Sequence, residues 1–336
     1  MRSIVPGLVA VSFAGLACAH HSNDYHFDQE VDVTVTGTVK QFRFINPHSR
    51  LEVDVIADDG SIVTWDCEMG AANGLRRRGW TDDVFTSGEA ISIQGFAARR
   101  NPTECYFDFA VMADGRRLSM DDEFENGVQT SVASSQPAVP AGTPSFSGLW
   151  QRVAGSGGGG GPQLGGPNRQ AWVLNAAGLA ALAAYDPVHD DPSLDCKPVS
   201  IVRLWGNGDL TQISQEEDRI RIRHEWMDAE RIVHLGVREH PGEMPANDLG
   251  HSIGWYEGNT LVIDTRGYPP GVLHQHPGLP HSDKLHTIER LTLNESGDAF
   301  DLDYIAEDSD YFTDRLTGSR SFAAATGSMN EYNCAH

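Results

Sequence analysis

Between residues 240 and 290, four histidines (His240, His251, His281 and His286) fall in or beside short motifs, with Asp264, Glu289 and Arg290 among them. Imidazoles titrate near neutral pH, so beside a carboxylate they can serve as general acids and bases. Along DKLHTIERLTL, period-two parity sets His286 and Arg290 on one face with Ile288. Glu289 shares the other face with Leu285, Leu291 and Leu293. One face must line an interior, so an ionisable group is drawn inside either way and needs a partner. That partner makes it a structural ion pair or a functional group with a shifted pKa. His251 lies on a face with Ile253 and Trp255, and His224 with Ile220, Ile222 and Trp226. The latter reads as a satisfied core histidine. The chemistry these residues allow is acid–base work in a cavity by His251, His281, His286, Asp264, Glu289 and Arg290. Trp255, Tyr256 and His240 would then contact the ligand, a small apolar molecule. Ser252 and Ser282 each follow a histidine, but neighbours on a strand point apart, so no triad is inferred.

A second candidate lies at the amino end. MRSIVPGLVAVSFAGLACA has the charged start, short apolar run and Ala17-Cys18-Ala19 close of a secretory signal peptide. Cleavage after Ala19 makes His20 the first residue of an exported, periplasmic or secreted chain. Its amine, with a pKa of about 8, and its Nδ1 would chelate one ion. His48 would supply a further imidazole, with His21 or His26 as spares. Such a T-shaped nitrogen site suits copper, which heads the affinity order for nitrogen ligands. Solvated, non-coordinating histidines are the alternative reading, as is a lipid anchor on Cys18.

These residues need elements to position them. Residues 31–118 read as five short alternating strands punctuated by Asp59-Gly60, Ser87-Gly88 and Asp114-Gly115. GAANGLRRRGW, between the third and fourth, suits a short helix. That order is an OB-like barrel. Residues 123–146 lose periodicity and gain Ser, Pro, Ala and Gly, as a linker does. Beyond it come SFSGLWQR, a glycine-rich loop, one helix in WVLNAAGLAALAAY, and then seven further strands. Glu257-Gly258-Asn259-Thr260 is a hairpin turn. Seven or eight antiparallel strands fit an up-and-down barrel or a sandwich, and Gly148-Leu149-Trp150 resembles the opening strand of lipocalin-type barrels. The expectation is an all-β protein: signal peptide 1–19, OB-like barrel 20–122, linker 123–146, and an antiparallel lipocalin-like barrel with one helix at 147–336.

The net charge of −22 repels a phosphate backbone, which argues against nucleic acid as a partner. No apolar run is long enough to span a bilayer as a helix. After cleavage four cysteines remain, and an even number in an exported chain points to disulfides. Of three pairings, Cys67–Cys105 with Cys196–Cys334 keeps each bridge inside one half.

AHHS at 19–22, INPH at 45–48 and GLRRRGW at 74–80 resemble a bacterial family of exported small β domains of unknown function. DDPSLDC at 190–196, GHSIGWYEGNTLVIDT at 250–265, PHSDKLHTIER at 280–290 and EYNC at 331–334 resemble a second uncharacterised exported family. Neither resemblance implies an activity. Three functions follow from the residues: a small-molecule barrel, a copper-handling protein, or a non-catalytic interaction scaffold.

Overall fold

The computed structural model describes residues 26–124, 143–153, 174–187, 189–244, 247–274 and 278–335. The first barrel contains β1 (Phe27–Arg43), β2 (Arg50–Ile56), β3 (Ile62–Glu68), β4 (Ala90–Ala98) and β5 (Glu104–Met112). They pair in the order β3-β2-β1-β4-β5, and a parallel β3–β5 contact closes the ring. This is the five-strand circuit of an OB barrel. The strand β1 serves both sides: it pairs with β4 as far as Thr38 and with β2 from Thr38 to Arg43, with bulges at Asp28/Asp32 and Val39/Gln41. Next to the changeover Gly37 is required: a Cβ there would meet the carbonyl oxygen of Asp54 at 2.2 Å. The short helix α1 (Ala72–Arg77) follows β3, and β6 (Arg117–Ser119) extends the sheet beyond β5. Cys67–Cys105 bridges the closing pair, where the two residues face each other in register.

The second barrel is larger. Its strands are β7 (Gly148–Arg152), β8 (Thr211–Gln215), β9 (Arg219–His224), β10 (Glu230–Leu235), β11 (His251–Glu257) and β12 (Thr260–Arg266). After the hairpin β13 (Gly271–His274) and β14 (Leu279–His281), β15 (His286–Leu293), β16 (Ala299–Glu307) and β17 (Leu316–Ala324) complete it. Nine strands close the ring, with β13 and β14 outside it. One neighbouring pair, β10–β11, is parallel, so the barrel is not wholly antiparallel. Among the described residues two α-helices accompany it rather than one. The helix α2 (Ala176–Ala184) is capped by the Asn175 side chain, which accepts from the amides of Ala177 and Gly178. The helix α3 (Ile201–Gly206) starts at Ser200 and carries Trp205 into the barrel. There the indole meets Phe300, Phe322 and His224 edge-on. Cys196–Cys334 ties the segment before α3 to the carboxy-terminal tail.

The two halves join through a polar seam. Asn73 donates to Glu225 (3.0 Å), and Arg77 donates to Asp209 (3.1 Å) and to Glu225. Asn46 donates to the carbonyl of Tyr332, and its own carbonyl accepts from Ala335 at 2.7 Å. Asn46, Asn73 and Glu225 are all buried, so these bonds satisfy groups that water no longer reaches. Two motifs of the amino-terminal half, INPH and GLRRRGW, thus supply side chains to the joint.

Candidate functional site

The nine-stranded ring sorts the predicted site residues into three places. On β11, Ser252 and Tyr256 point inward: Ser252 bonds Thr265 at 2.8 Å, and the Tyr256 hydroxyl accepts from Gln215 at 2.6 Å. His251 and Trp255 therefore point outward. On β15 the inward set is Thr287, Glu289, Leu291 and Leu293, leaving His286 and Arg290 outside. The interior is not a hollow ringed by imidazoles. It is filled by Trp150, Trp205, Phe300, Phe322 and aliphatic side chains, around one ion pair. The apolar company of His251 on its face is no guide to the interior, since outward-facing Ile253 and Val262 are themselves buried. The string GHSIG at 250–254 has the letters of a serine-nucleophile elbow, but Ser252 sits within a strand and is bonded inside the barrel.

Inside, Glu289 receives both Nη atoms of Arg231 (2.7 and 2.6 Å) and the Nε1–H of Trp205. Both charged side chains are 1 % exposed. The pair satisfies Glu289 and fastens α3 within the ring. Arg231 and Trp205 are invisible as partners in sequence, because they come from β10 and α3.

On the outer wall, Asp264 of β12 accepts from His240 Nε2 (2.9 Å) and His286 Nε2 (3.0 Å). His240 Nδ1 lies 2.9 Å from His251 Nδ1, so one proton is shared between them. The ring of His234 stacks on that of His251 with centroids 5.0 Å apart. Antiparallel register makes this possible, because Asp264 faces Ile253 on one side and Ile288 on the other. Burial opposes ionisation of Asp264, but the hydrogen bonds from His286 and His240 outweigh it and hold the carboxyl below its ordinary value. Burial, and then the charges of His234 and His240, lower the pKa of His251. The arrangement can pass protons along the wall. Beside it Trp255 and Arg290 both bond the exposed Glu257, at 2.9 and 2.8 Å.

The third place is an apolar cavity of about 250 Å³ beside the barrel's end. Val199, Ile201, Leu273 and Leu285 line it, with Ser200, Tyr268, Thr287 and His281 as polar groups and Lys197 and Asp248 as charged ones. The Tyr268 hydroxyl bonds Thr287 at 2.6 Å. His281 Nδ1 lies 3.1 Å from the Ser282 carbonyl, which can only accept, so Nδ1 carries the hydrogen. Burial pushes the His281 pKa down, keeping the ring neutral. Its Nε2 is then a lone-pair acceptor, held against Gly271, where a Cβ would come within 3.0 Å of it.

His20 and His21 lie outside the described residues. His48 Nδ1 sits 3.2 Å from Glu68 Oε1, and His26 lies near enough to feel both charges. Among the described residues no group of three or more His, Cys, Asp or Glu side chains is arranged to hold a metal ion. None of their helices is long and apolar enough to cross a membrane.

Fold and site define an all-β protein in which an OB-type barrel is joined to a closed nine-stranded barrel with a small cavity at its end. Residues 8–105 match the family of unknown function DUF6152; that span contains AHHS, INPH and GLRRRGW. No curated protein matches the chain. Among solved structures, a point mutant of the fluorescent protein UnaG is 14% identical, covers 54% of this chain and 96% of its own, and superposes with a TM-score of 0.25. A secretary abundant heat soluble (SAHS) protein from Ramazzottius varieornatus is 12% identical, covers 54% of this chain and 95% of its own, with a TM-score of 0.22. At these identities and TM-scores no argument about this chain rests on either likeness.

Proposed function

We propose that this is an exported protein that binds a small apolar molecule carrying one hydrogen-bond donor, in the cavity beside the end of the second barrel. One observation carries the reading: His281 presents a fixed, neutral Nε2 lone pair in a cavity lined mostly by apolar side chains and prolines. Ligand pockets have this composition, with few polar groups set among apolar ones. At about 250 Å³ the space falls just below the usual range of roughly 300–1,000 Å³, so the ligand is compact. The two disulfides suit an oxidising compartment. A ligand proton facing Nε2 could also be abstracted there, which is where acid–base chemistry would begin.

Phenol is a suitable probe. It is expected to bind about fivefold more tightly than anisole, whose oxygen cannot donate, since a net hydrogen bond is worth about 1 kcal/mol. Gly271→Ala, which sets a methyl against Nε2, should remove that preference while leaving the melting temperature nearly unchanged. Ligand-observed NMR reads both effects. Equal affinities for phenol and anisole in the unaltered protein would refute the role of His281.

A second reading is copper capture at the amino terminus by His20 with His48, whose Nδ1 is held 3.2 Å from Glu68 Oε1. Copper titration of the processed, exported protein tests it. His48→Ala should weaken affinity at least about tenfold, as loss of one ligand does. Unchanged affinity would dismiss the site.

A further inference from the structure

Between the two halves lies a cleft of about 1270 Å³, distinct from the cavity assigned above. Several arginines line it, and most are neutralised. Arg77 is taken by Asp209 and Glu225, and Arg203 binds both oxygens of Asp191 at 2.8 and 3.2 Å. Arg78 has Asp121 at 3.4 Å and the Met120 carbonyl at 2.7 Å.

Arg152, at the end of β7, differs. Among the described residues it has no carboxylate partner, nor has Arg76, which instead donates to Asn73 Oδ1 at 3.1 Å; the Arg152 Nε, like those of Arg77 and Arg203, is shut off from water without an acceptor. The charge that acts on it is another cation, Arg320, which is 2% exposed and donates Nη1 to the Ser319 carbonyl at 2.7 Å. Burial and that neighbour both press the Arg152 pKa down. A half-buried guanidinium beside a fully buried one is costly unless an anion joins it. The chain holds 47 Asp and Glu against 25 Lys and Arg, so carboxylates are abundant, yet among the described residues none pairs with Arg152.

We infer that the cleft binds a small organic monocarboxylate, its carboxylate gripped by the Arg152 fork and its apolar body lying along the cleft wall. A planar guanidinium matches a carboxylate through two parallel hydrogen bonds. Trp226, Tyr332 and Leu210 supply apolar surface in the same cleft. Asp82, Glu123 and Asp209 also line it, and with the overall charge they disfavour a dianion such as phosphate.

Benzoate, titrated calorimetrically into the intact mature protein at physiological salt, tests this. Benzyl alcohol and inorganic phosphate are the comparison arms. Benzoate should bind at least tenfold more tightly than either. Arg152→Met should abolish the binding, Arg152→Lys should retain part of it, and Gly271→Ala should leave it unchanged, separating this site from the His281 cavity. Because Arg152 makes no ion pair among the described residues, Arg152→Met should not lower the melting temperature of the free protein, while benzoate should raise that of the unaltered protein only. Benzoate binding that survives Arg152→Met, phosphate bound ahead of benzoate, or a free Arg152→Met protein melting several degrees lower would each overturn the assignment.

Discussion

Glu289→Ala is expected to be the most damaging single substitution in the second barrel, costing about 3–5 kcal/mol. The carboxylate accepts three hydrogen bonds, two from Arg231 and one from Trp205, and neither member of the ion pair touches solvent. Removing it leaves the Arg231 guanidinium buried with nothing to neutralise it, and that orphaned charge dominates the loss. The indole N–H of Trp205 loses its acceptor as well, so α3 loosens in the ring. At about 2–4 °C per kcal/mol for a domain of this size, the melting temperature should fall by roughly 10 °C or more. The double variant Arg231→Met with Glu289→Leu should recover most of that loss, because packed apolar side chains replace both charges and both desolvation costs. Urea unfolding followed by tryptophan fluorescence measures all three proteins. A loss below about 1 kcal/mol in Glu289→Ala would mean that the arginine finds water or another partner, and the account of the interior would fail.

That interior also explains what was legible in the sequence. Alternation along HTIERLTL shows that Glu289 parts company with His286 and Arg290, because a strand's two faces are written two residues apart. It does not show which face is inside when both carry apolar side chains. Here the outer wall buries Ile253 and Val262, so apolar company fails as a guide for His251. The strand β17 escapes the pattern for a different reason. Its inward positions are Leu316, Gly318, Arg320 and Phe322, and two of those four are not apolar. Gly318 is there because the Tyr304 hydroxyl occupies its side-chain space, with a Cβ meeting that oxygen at 2.4 Å. Such an exchange between neighbouring strands has no local signature. The five-strand order of the first barrel was readable, since turn pairs bound its strands and the short helix falls after the third. The outer histidine cluster was readable only as a list. His240, His251, Asp264 and His286 meet because β15 pairs with β12 across the intervening hairpin β13–β14, and His234 arrives from β10. Arg152 and Arg231 look ordinary in sequence, and their weight comes from where the fold sets them, Arg231 within the ring and Arg152 in the cleft wall.

Acidification should unfold the second barrel well before its carboxylates titrate, and His224 sets the reason. The ring is 2% exposed, packed edge-on against Trp205 with centroids 4.8 Å apart, and near the Arg231 charge. Its Nδ1 bonds the Thr211 hydroxyl at 3.0 Å, while its Nε2 is buried without a partner. Burial first, and Arg231 second, lower its pKa from 6.5 to about 3. The sign follows from proton counting. Below pH 6.5 the unfolded chain takes up a proton at this site and the folded chain does not, so stability falls as pH falls, until the folded ring titrates near pH 3. Between pH 6.5 and pH 4.5 the loss is on the order of 3 kcal/mol, at about 1.4 kcal/mol per unit. His281 and His251, whose pKa values are also lowered, add to it in the same direction. Asp264 and Asp191, held below 3.8, contribute stability that is lost only as pH drops past that value. His224→Phe keeps the ring contact with Trp205 and removes the titrating group. Its unfolding free energy, measured in urea at pH 7.5, 6.5, 5.5 and 4.5, should fall less steeply than that of the unaltered protein, by close to one proton in the slope. Parallel pH profiles for the two proteins would show that the imidazole already takes its proton within the fold, and that the pressure of Trp205 and Arg231 upon it is relieved in some other way.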